Sequence, residues 1–314
     1  MKSILITAAS ILAAVTVVAP GAHASGDDAI GWIRETLARE LDRQDRCDER
    51  RAAISGTINR LRNVALPSSG KVLVVNIPSG VATAYQDGVA VIESRAVVGL
   101  AGTPTPDLDT QVTFVRPNPT WTVPESIIAR KGWRRRLAED PKFFEKNGFD
   151  LIVNGKKVSA AQIGPDTSSV TAFVQRPGPK NALGRLKIGI ANDQAIYLHD
   201  TNEPGHFEEE VRLASSGCVR LERVGEIAAW ILGIGDEELE TMVEEGDVAN
   251  HTPPEPVRVV IGYWTAWPDA DGHIRYYPDV YSRDPVDETV CEAGMSDDPE
   301  RQSSAAVWTE YKTR

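Results

Sequence analysis

A chain of 314 residues with 41% hydrophobic side chains is long enough to bury a full core, which excludes a disordered or fibrous protein. Its formal charge of −11 excludes the basic stripe that a nucleic-acid binder requires, and gives no net attraction to an anionic surface.

Residues 1–24 have the layout of an export signal: Lys2, an apolar run from Ile4 to Ala19, then the small-x-small site Ala22-His23-Ala24 before Ser25. The run is shorter than the ~20 residues that span a bilayer, so cleavage is expected, with no membrane span remaining and no cysteine placed for lipid attachment. Residues 25–68 carry apolar positions at Ile30, Ile33, Leu37, Leu41, Cys47, Ile54, Ile58, Leu61 and Ala65, spaced by three or four with few gaps. That spacing predicts an amphipathic helical arm that packs on the next domain, divided near Gly56 and ended by Pro67.

From Lys71 the pattern changes to strands. Lys71 to Ile77, Val81 to Gln86 and Val89 to Val98 are separated by short turns, including Asp87-Gly88, and predict an antiparallel meander. Gln111 to Val115, Thr171 to Gln175, Leu186 to Ile190 and Ala195 to Leu198 add further strands, so the fold class is mainly β (α+β). Glu125 to Ala138 is expected to be a helix bearing Arg130, Lys131 and Arg134 to Arg136, with another turn at Pro141 to Lys146. This basic cluster is expected to be a solvated face, with binding of substrate carboxylates as the sharper alternative. Asn181, in the loop Gly178 to Gly184, offers a donor and an acceptor, either to a substrate or to its own turn. Glu222 to Leu232 and Glu237 to Glu245 are read as helices, then strands Val257 to Trp267 and His273 to Tyr277.

The chemistry concentrates between Ala195 and Val224. His199 ends a short apolar strand, and Cys218 follows within Ser215-Ser216-Gly217-Cys218-Val219-Arg220. A cysteine attacks an acyl carbon as the thiolate, so it needs a base beside it, and His199 is the candidate. Gly217 lets the backbone approach a carbonyl, and the N–H groups of Gly217, Cys218 and Val219 are candidates for an oxyanion hole. Arg220 suits a carboxylate or a brace for the loop. Either Asp200 or a backbone carbonyl orients the His199 ring. His206 is read as a loop histidine, and no spacing here suits a metal. With Cys218 reserved, Cys47 and Cys291 remain as a candidate disulfide or as two free thiols.

This H-D-T, S-S-G-C-V-R pattern resembles the L,D-transpeptidases of the YkuD family, in particular the large periplasmic YcbB-like branch without its upstream peptidoglycan-binding module. The resemblance continues at Val75-Asn76-Ile77-Pro78, Thr103-Pro104-Thr105-Pro106, Trp121-Thr122-Val123-Pro124, Arg176 to Gly184 and Tyr263-Trp264-Thr265-Ala266. Ser216 stands where many members carry a second histidine, so that histidine's role is not carried over. The resemblance implies a YkuD-like β-sandwich or partly closed barrel over residues 69–250, with a helical lid insertion at about 122–170. A C-terminal β-hairpin extension at 251–285 and a polar tail at 286–314 complete the expected layout. It implies a periplasmic transpeptidase that joins peptidoglycan stem peptides, between two diaminopimelate residues, through a Cys218 thioester with release of D-alanine and no cofactor. Tyr197, Asp200, Asn181, Ser216 and Arg220 are the expected substrate contacts. An L,D-carboxypeptidase, attachment of an envelope protein to peptidoglycan, and a non-catalytic peptidoglycan-binding module are the alternatives.

Overall fold

The computed structural model describes residues 26–44, 48–269 and 271–284. The expected signal, the polar tail and the Cys47–Cys291 pair lie outside those residues. Helices α1 (Gly26–Leu41) and α2 (Glu49–Arg60) precede strands β1 (Lys71–Asn76), β2 (Val81–Gln86), β3 (Val89–Gly99) and β4 (Leu108–Pro117). An insertion follows, holding β5 (Trp121–Thr122), α3 (Glu125–Arg130), α4 (Trp133–Glu139), α5 (Pro141–Lys146), β6 (Phe149–Val153), β7 (Lys156–Val158) and β8 (Val170–Gln175). The chain returns in β9 (Leu186–Ile190), β10 (Tyr197–His199), β11 (Leu213–Ser215) and β12 (Val219–Leu221), then α6 (Val224–Leu232) and α7 (Asp236–Glu244). Strands β13 (Val257–Gly262), β14 (Ala266–Pro268) and β15 (Ile274–Tyr276) come last among the described residues.

Eight strands close on themselves in the order β2-β3-β12-β10-β9-β4-β13-β1, with β1 paired back to β2 and β11 added beside β3. Closure leaves no free edge in the ring, and so removes a template for unwanted strand pairing. The ring is mixed: β1 runs parallel to β13 and β10 parallel to β12, while β4 and β10 flank β9 antiparallel. Because successive side chains alternate across a strand, Leu73, Val75, Ile188, Leu198, Val219 and Val259 all face inward. They meet α6, where Ile227, Ala228 and Ile231 are fully buried.

The opposite face of β1 and β13 carries Val72, Val74 and Val260, and these take Ile30, Ile33 and Leu37 of α1 and Ile54 of α2. Strand β1 is therefore buried on both sides, which explains its unbroken apolar run. The expected division of the arm at Gly56 is corrected: Gly56 lies inside α2, and the break falls between Leu41 and Glu49. Asp48 caps α2, its carboxylate accepting from the Arg50 N–H. Gly56 is instead a place of close approach, since a methyl group there would overlap the Asp284 carboxylate. Asp284, 3% exposed, accepts two hydrogen bonds from Arg60 at 2.7 and 2.8 Å.

The insertion has its own sheet, ordered β5-β8-β6-β7, and its own core of aromatic edges around Trp133, whose ring centroid lies 5.1 Å from Phe149 and 5.7 Å from Phe144. The single helix expected from Glu125 to Ala138 is two helices, because Gly132 adopts φ +61° between them. Its two ends meet: the Asn118 N–H donates to the Arg185 carbonyl at 2.8 Å, directly beyond the β4–β9 ladder.

Removing Arg60 would strand a buried carboxylate. Arg60→Met is expected to lower unfolding free energy by roughly 3 kcal/mol, with Arg60→Met/Asp284→Asn recovering part of the loss, as read by chemical denaturation. A change below about 0.5 kcal/mol in the single variant contradicts the assignment of this pair as the latch of the arm.

Candidate active site

Strand order places the site on the outer face of β4, β9, β10 and β12. In register, His199 lies opposite Lys187 on β9 and Arg220 on β12, and Lys187 lies opposite Arg116 on β4. Four basic side chains thus form one cross-strand row on a chain whose formal charge is −11. The inward residues of the same strands, Val115, Ile188, Leu198 and Val219, are buried in the barrel.

His199 is 5% exposed, and its Nδ1 hydrogen-bonds to the carbonyl oxygen of Asp200. A carbonyl only accepts, so Nδ1 carries the proton and Nε2 keeps its lone pair. That settles what orients the ring: a backbone carbonyl holds it, and the Asp200 carboxylate turns away to accept from the N–H groups of Arg185 and Thr201 at 2.8 and 2.7 Å. Burial, with Arg220 and Lys187 on either side, holds the imidazole down to about 3, so the ring is neutral at physiological pH.

Cys218 is half-buried. Burial pushes its thiol up, against the opposing influence of the Tyr197 N–H and phenol, then Lys187 and Arg220. The resting Sγ donates to the Ala195 carbonyl at 3.8 Å, and no hydrogen bond joins it to His199. Tyr197 sits between the reacting groups, its ring 5.6 Å from the imidazole, with the Lys187 ammonium 3.9 Å above its centroid. Burial raises its phenol first and the charge of Cys218 second, while a bond to Trp121 of the insertion opposes both.

The turn that presents the cysteine is tied from behind. Ser215, 4% exposed, donates to the Cys218 carbonyl at 2.5 Å and accepts the Gly217 N–H at 3.1 Å. Thr105 donates to the Gly217 carbonyl at 2.9 Å and accepts the Gly99 N–H, while Tyr281 Oη donates to the Gly99 carbonyl. Gly217 has φ +112°, a conformation open to glycine. In this structure its N–H, the expected oxyanion donor, is given to Ser215.

Other expectations change in detail. Asn181 is 1% exposed, and its amide donates to the Pro119 and Arg176 carbonyls while accepting from the Leu183 N–H, so it staples its loop and does not face substrate. Ser216 is exposed and accepts from Arg130 of α3 at 2.5 Å. Arg134 and Arg136 are occupied elsewhere, by Glu125 and by the Phe143 ring respectively, so Arg130 is the basic residue that reaches the cysteine turn. Arg220 pairs with Glu203 at 3.2 Å, and its buried Nε finds no acceptor among the described residues. His206 bonds Glu209 and Glu203 and is not brought to His199 or Cys218.

A family model described as YkuD, the L,D-transpeptidase catalytic domain, matches residues 70–261. A curated Haemophilus influenzae protein named "Putative L,D-transpeptidase" is 30% identical over 237 residues, which are 72% of this chain and 47% of that one. The chain therefore spans about half the length of the relative it matches. Among solved structures, an L,D-transpeptidase from Mycobacterium smegmatis aligns at 12% identity over 64% of both chains with TM-score 0.30. One from Mycobacterium tuberculosis aligns at 15% identity over 61% of this chain and 57% of its own, with TM-score 0.28.

The neutral His199 has a consequence for stability. Its ordinary value of 6.5 falls to about 3 in the fold, so the unfolded chain binds the extra proton. The stabilisation is fully present above pH 6.5 and is lost as pH falls toward 3, with a limiting slope of about 1.4 kcal/mol per pH unit. Thermal unfolding between pH 7 and 4 is expected to show a shallower pH dependence in His199→Gln than in wild type. Parallel curves count against a buried neutral imidazole.

Proposed function

The chain belongs to the YkuD family of L,D-transpeptidases, and from that premise we propose that it is an exported acyltransferase of the periplasm that forms 3-3 cross-links between peptidoglycan stem peptides. The observation that carries the reading is the Nδ1 bond of His199 to the Asp200 carbonyl, because it leaves Nε2 as a proton acceptor on β10, the strand paired with β12, which Cys218 directly precedes. Among the described residues no helix is long and apolar enough to cross a membrane.

In this mechanism the Cys218 thiol leaves the Ala195 carbonyl and gives its proton to His199 Nε2 as Sγ attacks the diaminopimelate carbonyl. The new oxyanion takes the Cys218 N–H as its nearest backbone donor, since that of Gly217 is occupied. The C–N bond then breaks, His199 returns the proton to the departing D-alanine amine, and a thioester remains. An acceptor amine attacks the thioester, passes its proton to Nε2, and the C–S bond breaks to release the cross-linked product. The imidazolium reprotonates the thiolate, and no oxidant, metal or external cofactor is consumed.

The neutral resting pair shapes this cycle. Before substrate arrives, burial disfavours both the thiolate and the imidazolium. The proton moves with the attack, not ahead of it. Ser216 does not donate through an imidazole, and its hydroxyl serves instead as the point where Arg130 joins the insertion to the cysteine turn.

The test is mass spectrometry of products from disaccharide tetrapeptide incubated with the protein from Ser25 onward, beside Cys218→Ala. A dimer linked between two diamino acids is expected, reduced at least about 10³-fold in Cys218→Ala. Tripeptide alone identifies an L,D-carboxypeptidase, and a dimer that survives Cys218→Ala rejects the thioester.

A further inference from the structure

Lys187 is a half-buried cation with no assigned partner. It lies within Leu186-Lys187-Ile188-Gly189-Ile190, a strand whose other four residues are buried. Among the described residues its ammonium has no hydrogen-bond or ion-pair partner, although the chain carries more acids than bases. Its ammonium instead rests 3.9 Å over the Tyr197 ring. Its cross-strand neighbours, Arg116 and His199, do not neutralise it: Arg116 is itself cationic and directs Nε to the neutral Asn250 amide at 2.6 Å, and His199 is neutral. A like charge directly opposite on a strand is destabilising, and a buried cation ordinarily acquires a carboxylate.

The place of that missing carboxylate follows from Tyr197. The Tyr197 ring carries the ammonium on its face at 3.9 Å, and its phenol interacts with Cys218, so ammonium and thiol flank one side chain. A peptide advances about 3.8 Å per residue, so an acid group one residue beyond a carbonyl held at Sγ comes within reach of Lys187. Burial and Arg116 lower the Lys187 ammonium from its ordinary value, and the charge of Cys218 opposes them, as an added carboxylate would.

We propose that Lys187 binds a free carboxylate of the acyl-donor peptide near the attacked carbonyl, and so makes the site favour donors that carry an acid group there. This deepens the stem-peptide reading above and rests on it. Two carboxylates share the required chemistry: the C-terminal one of the departing D-alanine and the one on the side chain of the diamino acid. Docking either of them beside His199 also brings a negative charge close to the imidazole, on the side of Lys187 and away from the Arg220–Glu203 pair, which favours the imidazolium formed during attack.

Binding is measured by calorimetry on the full chain in the Cys218→Ala background, with and without Lys187→Met or Lys187→Arg. The probes are disaccharide tetrapeptide as the free acid, its C-terminal amide, and its side-chain amide. Lys187→Met is expected to weaken the free acid by about 10 to 100-fold, with Lys187→Arg within a few-fold of the parent. One of the two amides should bind weakly whether or not Lys187 is present, and that amide identifies the carboxylate. Equal affinity for all three probes with and without Lys187, in variants that keep their unfolding midpoint, overturns the proposal. Absence of binding by any probe overturns it as well. Turnover by wild type is scored separately: binding that depends on Lys187 without any dimer or tripeptide retains the carboxylate site and rejects the transpeptidase reading.

Discussion

The parallel pairing of β10 with β12 is the constraint on which the site depends. A parallel pair cannot be joined by a tight turn, so residues 200–218 must loop out and return in the same direction. That return brings His199 beside Arg220 and delivers the cysteine turn to the start of β12. The antiparallel neighbour β9 then sets Lys187 on the other side of the same imidazole. His199, Arg220 and Lys187 are thereby held side by side by backbone ladders.

The electrostatic character of the site follows from this row. Burial, with Arg220 and Lys187 beside it, lowers the imidazole, and burial raises the Cys218 thiol, so both environments favour the neutral forms. Tyr197 moderates the crowding by offering its ring face to the Lys187 ammonium and its hydroxyl to the sulfur. Behind the nucleophile, Ser215 and Thr105 occupy the polar groups of the turn, which limits which N–H groups remain to meet a substrate.

Alternation and turn residues made most barrel strands legible in the sequence, because those signals are local. The helical arm was legible through its spacing, and His199 with Cys218 through residue chemistry and family resemblance. Cross-strand neighbours were not. Lys187 stands twelve positions before His199 in the chain, and its place beside the imidazole arises only from register. Asn181 misled for the opposite reason: an amide in a glycine-flanked loop looks available, yet its carbonyl partners at Pro119 and Arg176 come from the ends of the insertion. The position of Gly56 was unreadable because Asp284, the group that needs the space, lies far along the chain. A lone charge within an apolar strand was the one local clue to Lys187.

The insertion between β4 and β9 begins and finishes at residues that hydrogen-bond to each other across the end of one ladder. Topologically it is a hairpin loop grown large, with a hydrophobic core of its own. Loop-closure entropy rises only with the logarithm of length, so residues 118–185 can be exchanged, shortened or enlarged with little penalty to the barrel. A change of cassette at this joint would alter what stands over the cysteine turn while leaving the ladders that hold Lys187, His199 and Arg220 in place.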